Sequence, residues 1–189
     1  SPPGMRKQLF ALINREIKNV QSGKKGGITL KLNSLSDELL IQKLYDAAKA
    51  GVEIKMVIRG ICCMYTENKK FKMAVQAISI VDEYLEHARV MIFHNDGKEK
   101  VFISSADWMV RNIDHRIEAA CPILEKDIQK QLKDIIDIQL NDNVKARVLD
   151  NELKNQYINS RNKIKIRSQV EIYNFLHYID KQITSVPAG

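Results

Sequence analysis

The first third of the chain alternates between two patterns of apolar positions. Residues 5–20 carry apolar side chains at helical spacing, which predicts an amphipathic helix. Residues 28–32 alternate apolar with polar positions as a strand does, and residues 34–51 predict a helix with a capping sequence at its start and Gly51 at its end. Residues 52–58 are the next predicted strand. Together these elements predict a βαβ unit with parallel strands and a right-handed crossover.

Two short apolar runs further along the chain predict a β-hairpin. Residues 90–93 and 101–103 are predicted strands, and the Asn-Asp-Gly sequence at 95–97 supplies turn chemistry between them. His87 precedes the first strand, and Ser104 and Ser105 follow the second. Because antiparallel pairing brings these three residues to the same end of the hairpin, we take that end as the candidate site.

The remaining segments complete an α/β fold. The pattern predicts a lysine-rich loop at 64–75, a short strand and helical turn at 78–85, a strand at 117–122, a helix at 125–141 and an extended segment at 144–149. A last helix should place Val170, Tyr173, Leu176 and Ile179 on its inner face. We expect a single domain over 1–189, with a leading helix in 1–25, a core of sheet and helices in 26–150, and a basic segment with a C-terminal helix in 151–189.

Composition restricts the class of partner. Lys and Arg outnumber Asp and Glu by 30 to 23, which gives a net charge of +7 and a pI near 9.2. This charge favours a polyanion: nucleic acid, nucleotide, polyphosphate or an anionic membrane. No apolar run approaches the roughly 20 residues of a membrane span. The three cysteines fit neither a disulfide framework nor a zinc spacing, so we expect a reducing cytosol.

The candidate site combines five polar residues: His87, Arg89, Ser104, Ser105 and Asn112. This set resembles the H-x-K, Ser-Ser and Asn pattern of the phospholipase D superfamily. Chemistry of that kind uses a histidine to attack phosphorus, a cation beside it to hold the oxygens, and Ser and Asn groups to orient both. Here the cation is arginine, and Phe93-His94 stands where an acidic residue is expected. A phosphodiesterase with this sequence would therefore lack the acidic residue of its catalytic motif.

Six distinctive blocks are spread along the chain: PPGMRK at 2–7, KLNSLSD at 31–37, IRGICC at 58–63, SIVDEYLEH at 79–87, ISSADWMVRNIDHR at 103–116 and DNVKAR at 142–147. With these blocks in the family's order, essentially all 189 residues resemble the C-terminal catalytic portion of bacterial polyphosphate kinase, a family that makes polyphosphate from ATP through a phosphohistidine. The chain looks like the second of two phospholipase D-like domains in a longer enzyme. The resemblance places the phosphorylated histidine and the magnesium-associated arginines in the first.

The resemblance also implies roles for individual residues. Arg59 and His87 fall on residues that line the family's ATP site, and Arg116 falls on a further basic position. An arginine can grip phosphate oxygens with a bidentate fork, and His87 would contact or protonate a leaving phosphate oxygen as a general acid. The candidate polyphosphate contacts are Lys31, Arg89, Lys100 and Arg111. The basic residues of 161–167 match a basic stretch of the family, although a charged helix start explains them equally well.

Two departures from the family pattern lie outside these residues. The loop at 64–70 lacks the usual Pro and Gly, and Gln76 replaces a usual basic residue. The resemblance implies ATP, ADP and polyphosphate as partners together with the remaining domains, and Mg²⁺ bound mainly by another domain, with no metal ligand in this segment. The whole enzyme is expected to be a homo-oligomer in the cytoplasm or at its membrane, and the isolated segment to be inactive.

Two alternatives remain open. A phospholipase D-type phosphodiesterase or nuclease would need a second H-x-K half, which a homodimer could supply. A basic nucleic-acid-binding module would ordinarily expose aromatic side chains for stacking, but aromatics make up 6% of the chain and most stand at apolar positions, so no nucleic acid is expected.

Overall fold

The computed structural model describes residues 4–158 and 164–184. Its helices are α1 Gly4–Gln21, α2 Glu38–Ala50, α3 Lys126–Leu140 and α4 Ser168–Thr184. Its strands are β1 Gly27–Leu32, β2 Glu53–Ile58, β3 Val75–Ile80, β4 Val90–Phe93, β5 Lys100–Ser104, β6 Ala120–Ile123 and β7 Ala146–Val148. Within these described ranges the seven strands form one mixed sheet in the order β6-β5-β4-β1-β2-β3-β7. The predicted α/β class with a mixed sheet and flanking helices is confirmed.

The predicted βαβ unit is present as β1, α2 and β2. The two strands pair in parallel, with Gly27 opposite Glu53 and Leu32 opposite Ile58. Asp37 caps α2 by accepting a hydrogen bond from the Leu40 amide at 2.9 Å. Gly51 ends the helix with a φ of 108°, a left-handed conformation that glycine adopts without steric cost. The unit brings the carboxyl ends of β1 and β2 to one edge of the sheet.

The predicted hairpin is also confirmed. Strands β4 and β5 pair antiparallel, with Val90 opposite Ile103 and Phe93 opposite Lys100. The turn contains Asn95 at φ 48°. The Arg89 carbonyl accepts the Ser104 amide at 3.0 Å, so the chain before β4 and the chain after β5 meet at one end, as expected.

Side-chain alternation along the strands divides the core between two faces of the sheet. Met91 and Phe93 belong to the buried cluster formed with α1 and α2. Val90 and Ile92, which point the other way, pack with Ile136 of α3. Among the described residues no helix is long and apolar enough to cross a membrane.

Two predicted strands begin at other residues. Strand β3 covers Val75–Ile80, because Val75 pairs with Ile54 of β2 and extends the sheet into the predicted lysine-rich loop. Residues 81–89 form no helical turn, because side chains from other elements fix their path instead. Strand β6 covers Ala120–Ile123, since its pairing with β5 begins only where Ala120 meets Ser104.

The predicted inner face of the last helix is wrong at three positions. Val170, Tyr173 and Leu176 are exposed, whereas Ile179 is half-buried. Helix α4 packs mainly against α3, and Ile172 lines a small cavity together with α3 residues. A helix that packs on one neighbouring helix buries a narrower stripe than a helix lying on a sheet.

Candidate functional site

Arg59 and His87 meet at the carboxyl edge of the sheet. Arg59 directly follows β2, and its Nε donates to Oδ1 of Asn33, which directly follows β1, at 2.6 Å. A terminal nitrogen of the Arg59 guanidinium lies 3.4 Å from Nε2 of His87. The edge outside the carboxyl ends of parallel strands is where α/β sheets hold their ligands. The structure thus brings together two of the three residues for which the resemblance implies a role in ATP binding.

Gly60 permits the close approach of the two strand ends. Its amide donates to the Asn33 carbonyl at 2.8 Å, and a Cβ at position 60 would lie 2.7 Å from that oxygen. Any side chain there would displace the backbone that carries Arg59 and Asn33. The glycine after Arg59 is therefore required by the geometry of the site.

Asp107 connects the strand ends to the segment that carries His87. Its buried carboxylate accepts the backbone amides of Asn33 at 2.8 Å and Ser34 at 3.1 Å, and the Arg89 guanidinium at 3.0 Å. Burial raises the pKa of Asp107, but the hydrogen bonds from Arg89 and the two amides outweigh it and lower the pKa below the ordinary value. Arg89 also donates to the His87 carbonyl at 3.0 Å.

Glu118 gathers the Ser and Asn groups at the same end of the hairpin. Ser105 donates its hydroxyl to one oxygen of Glu118, and Nδ2 of Asn112 donates to the other at 2.7 Å. Burial raises the pKa of Glu118, but these hydrogen bonds and the positive charges of Arg116 and Arg89 lower it below the ordinary value. The site therefore holds an ionised carboxylate beside its arginines.

Arg116 is exposed and follows the one-turn π-helix Arg111–His115. This turn is attached to α1, because Arg6 donates to Asp114 at 2.5 Å and 3.1 Å. Arg6 also donates to both oxygens of Asp37 at 2.7 Å. The clasp formed by Arg6, Asp37 and Asp114 fixes the turn that precedes Arg116.

The four candidate polyphosphate contacts occupy different environments. Lys31 is 4% exposed and pairs with Glu86 at 2.9 Å, and Arg89 is engaged by Asp107. Lys100 is exposed but lies opposite Phe93, at the other end of the hairpin from His87, where it lines a separate cavity. Arg111 is exposed in the π-helical turn. The structure does not bring these four side chains together.

The basic stretch at 161–167 lies partly outside the described residues. Arg161 and Lys163 are not described, and Lys165 is exposed. Arg167 donates to Asp82 at 2.8 Å and to Glu83 at 3.0 Å. The hydrogen bond to Asp82 raises the pKa of Arg167 further.

A cavity of about 230 Å³ opens beside Arg59 and is otherwise lined by residues 80–86.

Sequence reasoning did not assign Asn33, Asp107 or Glu118 to the site. Asn33 could have been found, because it ends a strand parallel to the one before Arg59. Glu118 gave no such signal, since its partners lie 6 and 13 residues away in the chain.

Comparison with solved structures identifies the fold. A phospholipase D family member, Nuc from Salmonella typhimurium, matches with a TM-score of 0.50 at 16% identity, covering 71% of this chain and 88% of that chain. At this identity the likeness concerns the fold alone, and it confirms the predicted phospholipase D-like architecture.

Closer relatives identify the family. Polyphosphate kinases from Vibrio cholerae and Escherichia coli are 49% and 46% identical over 182 and 181 residues, which is 96% of this chain and 26% of each relative. The crystal structure of polyphosphate kinase from Porphyromonas gingivalis matches with a TM-score of 0.93 at 43% identity, covering 96% of this chain and 28% of that one. The chain thus spans about a quarter of the length of these relatives. The family described as polyphosphate kinase C-terminal domain 2 matches residues 1–169, and the chain belongs to that family.

Proposed function

We propose that this chain is the C-terminal domain of an enzyme that reversibly transfers the terminal phosphate of ATP to polyphosphate. The single observation that carries the proposal is the 3.4 Å approach of Arg59 and His87 at the carboxyl edge of the sheet. Membership in a family whose relatives are polyphosphate kinases supports it and favours it over the phosphodiesterase alternative. In this proposal the phosphorylated histidine belongs to another domain.

Phosphoryl transfer depends on positioning and on neutralising the charge of the phosphate oxygens. Asn33 holds Arg59 by its Nε, which leaves terminal N–H groups of the guanidinium to face a ligand beside His87. Arg59 would bind oxygens of the transferred phosphate, and His87 would donate a hydrogen bond or a proton to the oxygen that leaves. Arg116, exposed near Glu118, would add a further positive charge.

The residues of this site do not fit a Mg²⁺ site. Mg²⁺ prefers oxygen ligands in octahedral geometry, whereas Arg59, His87 and Arg116 present nitrogen atoms. The carboxylates of Asp107 and Glu118 already accept hydrogen bonds from protein groups. Over 4–158 and 164–184 no group of three or more His, Cys, Asp and Glu side chains could hold a metal ion. In this proposal the ligands of Mg²⁺ come from the nucleotide phosphates and from the remaining domains.

The proposal includes the partners that this chemistry requires. They are ATP, ADP, polyphosphate and the remaining domains of the same enzyme. In this proposal the whole enzyme acts as a homo-oligomer in the cytoplasm and can associate with the membrane. One domain over residues 1–189 would contribute half of the active site, so the isolated chain would be inactive.

Substitution of the three site residues in the whole enzyme tests the proposal. Each of His87→Ala, Arg59→Ala and Arg116→Ala should lower ATP-dependent polyphosphate formation about a hundredfold, equivalent to about 2.7 kcal/mol of transition-state stabilisation. The matched control is Arg15→Ala, which removes an exposed arginine that contacts Asn95 in the hairpin turn.

Circular dichroism and thermal unfolding would establish that each variant is folded. Activity close to wild type in all three site variants would contradict the proposal. An equal loss in Arg15→Ala would assign the effect to general surface charge.

A further inference from the structure

The segment that carries His87 has no regular secondary structure of its own. Residues 81–89 run between β3 and β4 without helical or strand pairing. The position of His87 relative to Arg59 therefore depends on side chains from other elements, because no backbone ladder fixes this stretch. One of those side chains comes from the first turn of α4.

Gln169 pairs with the backbone of this segment as a neighbouring strand would. Its Oε1 accepts the Tyr84 amide at 2.9 Å, and its Nε2 donates to the Tyr84 carbonyl at 2.8 Å. One side-chain amide thus satisfies both backbone groups of a residue three positions before His87. The two partners are separated by 85 positions in the chain, so only the folded structure creates this contact.

The carboxylate of Glu86, directly before His87, is a second point of attachment. One oxygen accepts Nε2 of Gln169 at 3.0 Å. The other accepts Nζ of Lys31 at 2.9 Å and Nε2 of Gln139 at 2.5 Å. Side chains from β1, α3 and α4 therefore converge on the residue adjacent to His87.

Other contacts hold the two ends of the segment. Asp82 accepts two hydrogen bonds from Arg167, both at 2.8 Å, and Arg89 is held by Asp107. Gln169 is the side chain that joins the backbone in the middle of the segment to the carboxylate beside His87.

We propose that Gln169 is a positioning residue for phosphoryl transfer. Acting through the Tyr84 backbone and the Glu86 carboxylate, it fixes where His87 stands relative to Arg59. The inference rests on the proposed function of His87 and Arg59. It assigns a role in the site to the start of α4, which itself contributes no group to the reacting phosphate.

The test uses the whole enzyme and separates kcat from KM. Gln169→Ala should lower kcat for polyphosphate formation about tenfold, since displacing a reacting group by 1 Å costs up to about a hundredfold. KM for ATP should change by less than about threefold, because Arg59 keeps its own anchor on Asn33. Gln169→Glu should lose at least as much activity, since it keeps the acceptor for the Tyr84 amide but places a second carboxylate beside Glu86. Asn174→Ala, at an exposed position of the same helix, is the matched control.

A double-mutant comparison separates positioning from general loss of structure. If Gln169 acts through His87, then Gln169→Ala should lower kcat no further in a His87→Ala background. An equal loss in both backgrounds, or no loss in the wild-type background, would overturn the inference.

Hydrogen exchange provides a second test. Exchange at the Tyr84 amide should accelerate in Gln169→Ala while the amides of β1 stay protected. Unchanged exchange at Tyr84 would also overturn the inference.

The same experiments distinguish failure of the inference from failure of the proposed function. If His87→Ala lowers activity and Gln169→Ala does not, only the inference fails. If His87→Ala, Arg59→Ala and Arg116→Ala all leave activity intact, the proposed function fails, and Gln169 has no reacting group to position.

Discussion

At the scale of single residues, Asp107 joins the parts of the site. Its carboxylate receives the amides of Asn33 and Ser34 from one loop and the guanidinium of Arg89 from another. Arg89 also donates to the His87 carbonyl. Asp107 therefore connects the end of β1, where Asn33 holds Arg59, with the segment that carries His87. The Asp107 carboxylate can therefore influence the spacing of Arg59 and His87 through Asn33 and Arg89.

Asp107→Asn should weaken the fold in a pH-dependent way. Since the pKa of Asp107 is lowered in the folded chain, its ionised form adds stability above the unfolded pKa of about 4 and loses it as the pH falls through the folded pKa. We expect the variant to lose about 2 kcal/mol of unfolding free energy near neutral pH. Its loss of stability on acidification to about pH 3 should be smaller than that of wild type.

Urea denaturation across this pH range would measure both effects. Asp96→Asn is the control, because Asp96 and Lys24 form an exposed pair whose loss should cost little. An Asp107→Asn variant as stable as wild type near neutral pH would contradict the role assigned to this carboxylate.

At the scale of elements, the Arg6 clasp joins three pieces of structure. Arg6 belongs to α1, Asp37 caps α2, and Asp114 lies in the π-helical turn before Arg116. The Asp37 side chain is fully buried, so its charge depends on the guanidinium. Burial raises the pKa of Asp37, but the hydrogen bonds from Arg6 and from the start of α2 lower it below the ordinary value.

Removing Arg6 should destabilise the chain more than removing both charges. Arg6→Ala leaves the buried Asp37 carboxylate without its cation and should cost about 3 kcal/mol. The double variant Arg6→Ala with Asp37→Asn should recover part of this loss, because asparagine still caps a helix. Chemical denaturation would compare the two variants with Lys130→Ala, which breaks an exposed pair on α3.

A double variant no more stable than Arg6→Ala would contradict this account. Arg6→Lys should also remain below wild type, since lysine keeps the charge but cannot form the two parallel hydrogen bonds to Asp37.

Prediction from sequence succeeded where the structure follows local patterns. The βαβ unit and the hairpin follow from alternation, capping at Asp37 and turn residues, which depend on neighbours within a few positions. The start of β3 was missed because Val75 closely follows the lysine-rich stretch 69–72, and its strand character comes from pairing with Ile54. The path of residues 81–89 was missed because distant side chains such as Gln169 determine it. Family resemblance singled out His87 and Arg59, but it did not indicate the groups that hold them.

At the scale of the whole molecule, the net charge is +7, but the basic side chains differ in whether they are free to contact a polyanion. Lys31 and Arg89 have acidic partners within the fold. Lys100 begins β5 and Ser104 ends it, which separates Lys100 from the site end by about 14 Å along the strand. Arg111 and Arg116 are exposed at the two ends of the π-helical turn, whose Asn112 donates to Glu118 at the site end. A polyphosphate chain leaving the site would meet the π-helical turn before it met Lys100.

Arg111→Ala should therefore affect polyphosphate use more than Lys100→Ala. In the whole enzyme running towards ATP synthesis, we expect Arg111→Ala to raise KM for polyphosphate about fivefold, close to 1 kcal/mol. Lys100→Ala should change it by less than about twofold, and added salt should reduce the difference because exposed charges are screened. An equal or larger effect of Lys100→Ala would show that the polyanion follows the opposite end of the hairpin.

The attachment of residues 81–89 to the start of α4 has a consequence for synthesis of the chain. Arg59 and His87 leave the ribosome well before Gln169, and domains generally fold from the N-terminus during translation. The sheet can form first, with Lys31 and Gln139 available to Glu86, but the contacts of Gln169 with the segment bearing His87 form only when α4 has emerged. Nascent chains that stop short of α4 would therefore contain Arg59, His87 and Arg116 but lack the Gln169 contacts that position His87. The site of this domain would reach its final geometry only in the last stage of synthesis.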